Sequence, residues 1–129
     1  MAEGQNQAEF KVWWDEKEQV VRIIAIGDQT EEIAREMVAK EHQLITSLNK
    51  KGIRVINVLC DVAKAGTASS PARKIFADWI KEGKVNKFAL CGGGILQNTT
   101  ANFVFFFAGF KGVKSFTDEE KALKWLKEA

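Results

Sequence analysis

Four times along this chain, a short run of strand-forming residues is followed by a stretch whose apolar side chains fall on one helical face. That alternation limits the fold more than any other feature. Gln19 to Ile26 precedes Ile33, Met37, Leu44 and Leu48, which share a face at about 100° per residue, with Ala34, Val38 and Ile45 on its flank. Ile53 to Cys60 precedes Ala72, Ile75, Phe76, Trp79 and Ile80, a stripe with helical i, i+3, i+4 spacing. Lys87 to Cys91 precedes the aromatic run Phe103 to Phe110, and Val113 to Phe116 precedes Ala122, Leu123 and Leu126. The aromatic run would pass for a strand on propensity alone. Neighbouring parallel strands need a crossover, however, and Thr99 or Thr100 supplies a cap, so 99–110 is read as helix. Only the opening departs from the pattern. Phe10 to Trp14 and Gln19 to Ile26 are separated by the charged stretch Asp15 to Glu18, which suits an antiparallel hairpin. The expectation is a single α/β domain over 1–129: a mixed sheet of about five strands, the first antiparallel, packed with four helices. Residues 1–8, largely polar, are expected to be a flexible N-terminus.

Local signals set the boundaries. Gly27 ends the second strand, and Asp28 or Thr30 caps the first helix, which Gly52 stops. Asp61 to Ser69 reads as a loop of small residues. Ser70 reads as the next N-cap, with Pro71 at the first helical position, where a missing N–H costs nothing. Thr117 with Glu120 makes a capping box for the last helix.

Composition narrows the function classes. The 19 basic and 17 acidic residues are interleaved, giving a net charge of +2 without a basic block, so no nucleic-acid footprint is expected. The longest apolar run, Phe103 to Phe110, is far below the ~20 residues of a membrane span. Two cysteines without an N-terminal apolar signal core point to a reducing cytoplasm. His42, the single histidine, projects well away from the apolar face of its helix and reads as solvent-exposed. With one histidine and two separated cysteines, neither a usual Ser-His-Asp triad nor a His-rich zinc site can be assembled. Gly92-Gly93-Gly94 follows a strand, as phosphate-cradling loops do, but Gln97 stands where the last glycine of a dinucleotide motif belongs. Cys60 and Cys91 each end a strand-like run and read as buried thiols rather than a redox pair. No catalytic, cofactor-binding or metal-binding residue is therefore expected.

The strand Lys87 to Cys91 with its glycine run, the closing phrase Val113 to Leu126 and the segment Ser69-Ser70-Pro71-Ala72-Arg73-Lys74-Ile75-Phe76 together resemble the SpoIIAA-like, STAS-type family of small α/β domains. The resemblance spans most of the chain and implies a binding or regulatory module without enzymatic activity, working through protein contacts. In the anti-sigma-factor antagonists of that group a phosphorylatable serine sits at the strand-to-helix junction occupied here by Ser69 and Ser70. A phosphate there would meet free N–H groups and the positive end of the helix dipole, with Arg73 as an anchor. Ser69, Ser70 and Arg73 are thus the candidate anion or phosphorylation site. The chain departs from the family pattern in placing Asp61 well before the serines and Pro71 after Ser70, where glycine is usual, and simple capping by Ser70 is the favoured reading. Arg73 has structural alternatives in Asp61 and Asp78.

A second candidate surface comes from apolar excess. Val104 and Phe105 point away from the face shared by Phe103, Phe106, Phe107 and Phe110 if the run is helical. Trp13 and Trp14, adjacent on a strand, face opposite sides of the sheet. Trp13, Trp14, Val104 and Phe105 are the candidate interface or ligand patch, covered by helices of this chain, by a second subunit in a homodimer, or by a lipophilic small molecule. The lipophilic-carrier reading draws on analogy with Sec14-type lipid-binding domains and would place a pocket near 99–110.

Overall fold

The structure is a computed structural model that describes residues 9–92 and 112–128. The opening hairpin forms as expected, with β1 (Glu9–Asp15) antiparallel to β2 (Val20–Gln29). Gln19 takes φ +59 to turn the chain, and its N–H donates to Asp15 O at 2.7 Å. Helix α1 (Glu31–Lys50) leads to β3 (Asn57–Ala68), α2 (Ser70–Lys81) to β4 (Lys87–Cys91), and β5 (Val113–Phe116) to α3 (Glu119–Lys127). The five strands make one sheet in the order β1-β2-β3-β4-β5, parallel from β2 onward. Three helices lie among the described residues. The expected helix over 99–110, with Val104 and Phe105, lies outside them.

Two apolar layers hold the sheet. On one face Val21, Ile23, Val58, Cys60, Phe88 and Leu90 meet Met37, Ile45, Leu48, Phe76 and Trp79 of α1 and α2. On the other, Val20, Leu59, Ala89 and Cys91 meet Ala122 and Leu126 of α3. Because β4 alternates between two apolar layers, all of Phe88 to Cys91 is buried.

Several boundaries differ from the sequence reading. Gly27 does not end β2: it takes φ +74 inside the strand, which continues to Gln29. Its partner β3 begins only at Asn57 but runs on to Ala68, through the stretch read as a loop. Pairing survives there through two register shifts, between Ile24 and Ile26 and between Gly27 and Gln29, each giving β3 one more residue than β2. Bulges of this kind twist a ribbon and let small residues continue a ladder that a regular strand would abandon.

The caps shift too. Thr30 caps α1, accepting from Ile33 N at 3.2 Å. Ser69, not Ser70, caps α2, and Asp118, not Thr117, caps α3 by accepting from Lys121 N at 2.8 Å. At the end of α1, Gly52 at φ +92 donates to Asn49 O and Ile53 N to Leu48 O, each at 3.0 Å. That is a Schellman closure, which a glycine enters without a Cβ penalty. The buried face of α1 is Ala34, Met37, Glu41, Ile45 and Leu48, rotated from the expected stripe so that Ile33 and Leu44 lie at its margin.

Candidate functional site

At the carboxyl end of the parallel strands, β2 and β3 finish together, because Ser69 N donates to Gln29 O at 3.0 Å. Asp28 locks the tip: its Oδ1 accepts from Thr67 N at 2.9 Å and from Thr67 Oγ1 at 3.2 Å. From this rigid edge α2 starts. Ser69 Oγ accepts from Ala72 N at 3.2 Å, satisfying one of the free first-turn donors. Arg73 reaches back over the junction, donating from Nη1 to Ala68 O at 2.8 Å and from Nη2 to Ser70 Oγ at 3.0 Å. The three candidate residues Ser69, Ser70 and Arg73 are therefore together. They have distinct tasks: Ser69 caps, while Ser70 is exposed and its hydroxyl is held by the guanidinium. Arg73 pairs with neither Asp61 nor Asp78. Asp61 Oδ1 accepts from Ala63 N at 2.9 Å, and Asp78 pairs with Lys74 at 3.1 Å.

The tryptophans separate as the strand period requires. Trp14 packs against the α1 side of the core and donates from Nε1 to Glu16 Oε2 at 2.5 Å. Trp13 faces the α3 side, opposite Arg22 of β2. Helix α3 covers β3, β4 and β5 on that side, leaving Trp13 39% exposed. Beside it a cleft of about 140 Å³ is lined by Trp13, Arg22, Ile24, Leu59, Asp61 and Glu119. Arg22 bridges Asp15 at 2.7 Å and Glu119 at 2.9 Å, joining the hairpin to the start of α3. The Glu18 backbone N–H and then the Arg22 guanidinium hold the Asp15 carboxyl below its usual range. A second, larger groove of about 430 Å³ opens at the other end of the sheet, between Trp14, Val20, Val55 and Leu126.

Cys60 lies within β3 rather than at its end, and the register sets it opposite Leu90, with Asp61 opposite Cys91. The two thiols therefore occupy opposite faces of the sheet and cannot form a disulfide without rebuilding it. Both are free and buried. Burial pushes the Cys91 thiol up to about 11 and Cys60 well above its ordinary value. His42 is half-buried at the seam of α1 and α2, with Nε2 3.2 Å from Glu82 Oε1 and Nδ1 3.0 Å from Lys84 Nζ.

One residue escaped the sequence reading. Glu41 is 1% exposed at the centre of the buried face of α1, its Oε1 meets no hydrogen-bond donor, and burial raises its carboxyl pKa well above the ordinary value. The signal was present in the helical period, since Met37, Val38, Leu44, Ile45 and Leu48 surround it at i±3, i±4 and i+7. Among the described residues, no group of three or more His, Cys, Asp or Glu side chains is arranged to hold a metal ion, and no helix is long and apolar enough to cross a membrane.

The order of elements and the sheet define a SpoIIAA-like α/β fold. A protein of the DUF3478 family with a SpoIIAA-like fold, from Shewanella loihica PV-4, matches with a TM-score of 0.70 and 22% identity, over 94% of this chain and 96% of that one. The anti-sigma factor antagonist SpoIIAA in its unphosphorylated form matches with a TM-score of 0.62 and 16% identity, over 94% and 100%. A variant of RsbS from Moorella thermoacetica matches with a TM-score of 0.56 and 10% identity, over 92% and 95%. Identities this low establish the fold alone. The chain itself belongs to the family described as Domain of unknown function (DUF7793), whose model matches residues 26–129. No curated protein matches the chain.

Proposed function

We propose that this chain is a non-enzymatic binding and regulatory module that contacts a protein partner through the end of the sheet where α2 begins. One observation carries the reading: with Ser69 as the cap, Ser70 is relieved of that task and presents an exposed hydroxyl beside Arg73 on a braced edge. A rigid rim displaying a hydroxyl and a guanidinium suits docking, and a phosphate on Ser70 would meet Arg73 and the positive end of α2. The likeness to SpoIIAA, described as an anti-sigma factor antagonist in an unphosphorylated form, supports the same direction.

A lipophilic-carrier role has weaker support. The pocket expected near 99–110 lies outside the described residues; the groove of about 430 Å³ elsewhere does include Trp14, but Glu18, Asn57, Asn86, Lys127 and Glu128 also line it, which suits water better than an acyl chain. The test is a photo-crosslinking residue at position 70, compared with the same residue at Lys50 on the opposite end of the fold, in cells of the native source. A defined protein joined through position 70 and absent from position 50 supports the reading. Equal labelling at both positions, or none at 70, overturns it.

A further inference from the structure

β1 is an edge of the sheet, seven residues long, and it pairs with β2 without a register shift. The other edge, β5, has only four residues. Alternate N–H and C=O groups of β1 point away from β2, and no described strand takes them up. Natural edge strands are guarded by prolines, bulges, inward charges or exposed charges, lysine above all. β1 has no proline and no bulge, and its only cation, Lys11, is exposed in the middle of the strand. Its apolar side chains are incompletely covered: Phe10, Val12 and Trp14 are half-buried on the helical face, and Trp13 is exposed on the other.

We propose that β1 pairs antiparallel with β1 of a second copy, about a two-fold axis at Trp13, joining two five-stranded sheets into one. The pattern of charge selects this register. Centred on Trp13, the pairing sets Lys11 opposite the partner subunit's Asp15 on both sides of the axis, Val12 opposite the partner subunit's Trp14, and the two Trp13 rings against each other. Centred on Val12, it would set Glu9 against the partner subunit's Asp15; centred on Lys11, it would set two lysines against each other. A slip by one residue would bring opposite faces together. Asp15 is ready as an acceptor, because the Glu18 N–H at 3.0 Å and Arg22 at 2.7 Å already fix its carboxylate. Centred on Phe10, the pairing would set Lys11 against the partner subunit's Glu9 but overlap only residues 9–11 of the strand, so the Trp13 axis is the one that offsets Lys11 across most of β1. This interface leaves the junction at Ser70 free and stands independently of the role proposed for it.

Sedimentation velocity of the full chain over a wide concentration range tests the pairing. A reversible monomer–dimer equilibrium is expected, weakened at least tenfold by Lys11→Glu and preserved by Lys11→Arg, with unchanged circular dichroism. On mild oxidation a Trp13→Cys variant should form a cross-linked dimer, seen on a denaturing gel and lost with thiol reductant, because position 13 meets itself across the axis, whereas Glu9→Cys should not. The proposal fails if the wild type stays monomeric throughout, if Lys11→Glu leaves the dimer unchanged, or if Glu9→Cys cross-links as readily as Trp13→Cys. Should Lys11→Glu not fold, the two cysteine variants decide.

Discussion

Adjacent serines carry separate burdens in this protein. Ser69 Oγ takes the Ala72 N–H, whereas Ser70 Oγ accepts from the Arg73 side chain on an exposed surface. Ser69→Ala should therefore lower stability by about 1 kcal/mol, while Ser70→Ala changes it by no more than about 0.5 kcal/mol. Urea midpoints of the two variants check this, and a larger loss for Ser70→Ala would reverse the assignment. Glu41 is the other decisive residue. Its folded pKa is raised by burial, so the stability present below the ordinary value of 4.5 is lost as pH rises toward the folded value, where only the unfolded chain ionises freely. Each pH unit in that window removes up to about 1.4 kcal/mol. Glu41→Gln, which keeps the shape of the neutral acid, should be clearly more stable than wild type at neutral pH and nearly equal to it in acid. Parallel stability curves for the two proteins from acid to neutral pH would show that the carboxyl is not held neutral by the core.

At the scale of elements, the β2–β3 extension depends on one side chain. A Cβ at Gly66 would collide with Asp28 Oδ1, the atom that receives both donors of Thr67. Gly66→Ala and Asp28→Ala should therefore release the same contact. Each should speed hydrogen exchange at residues 66–69, and the double variant should exchange little faster than either single one. Additive acceleration would mean that the two residues act separately. This extension also marks where the sequence becomes hard to read. The hairpin was legible from the period-two spacing of Phe10, Val12 and Trp14, and strands Lys87–Cys91 and Val113–Phe116 from short apolar or aromatic runs bounded by turn residues. Asp61 to Ala68 was not, since small residues of weak strand propensity are held there by bulged pairing with β2, a tertiary effect. Caps slipped by one residue wherever two cap-forming residues adjoin, as at Ser69-Ser70 and Thr117-Asp118. At the candidate site, the nearness of Arg73 to Ser70 follows from i, i+3 spacing and was visible. Glu41 was hidden because a charged residue is ordinarily assigned to solvent.

Across the whole molecule, the second apolar layer depends on keeping α3 against a sheet whose other face already carries two helices. Ala122 and Leu126 supply the buried contact, but a helix of nine residues is too short to persist by its own propensity. Its C-terminal carbonyls are taken up by the sheet instead. Lys87 Nζ donates to Trp125 O at 2.9 Å and Glu128 O at 2.7 Å, Asn57 Nδ2 donates to Leu126 O at 3.0 Å, and the Lys87 ammonium lies 5.1 Å from the Trp125 ring centre. A cation at this end also complements the helix dipole. Lys87→Met keeps most of the aliphatic stem and removes the charge and both hydrogen bonds, so it should cost about 1–3 kcal/mol. The loss should be local first: exchange of the α3 amides and the near-ultraviolet signal of Trp125 should change before the signals of α1 and α2. Lys114→Met, whose ammonium stacks 5.5 Å from the Phe116 ring, should cost no more than about 1 kcal/mol. If both substitutions have equal effects, or if Lys87→Met leaves exchange over 119–127 unchanged, burial of Ala122 and Leu126 alone holds the helix and the carbonyl clamp adds nothing measurable.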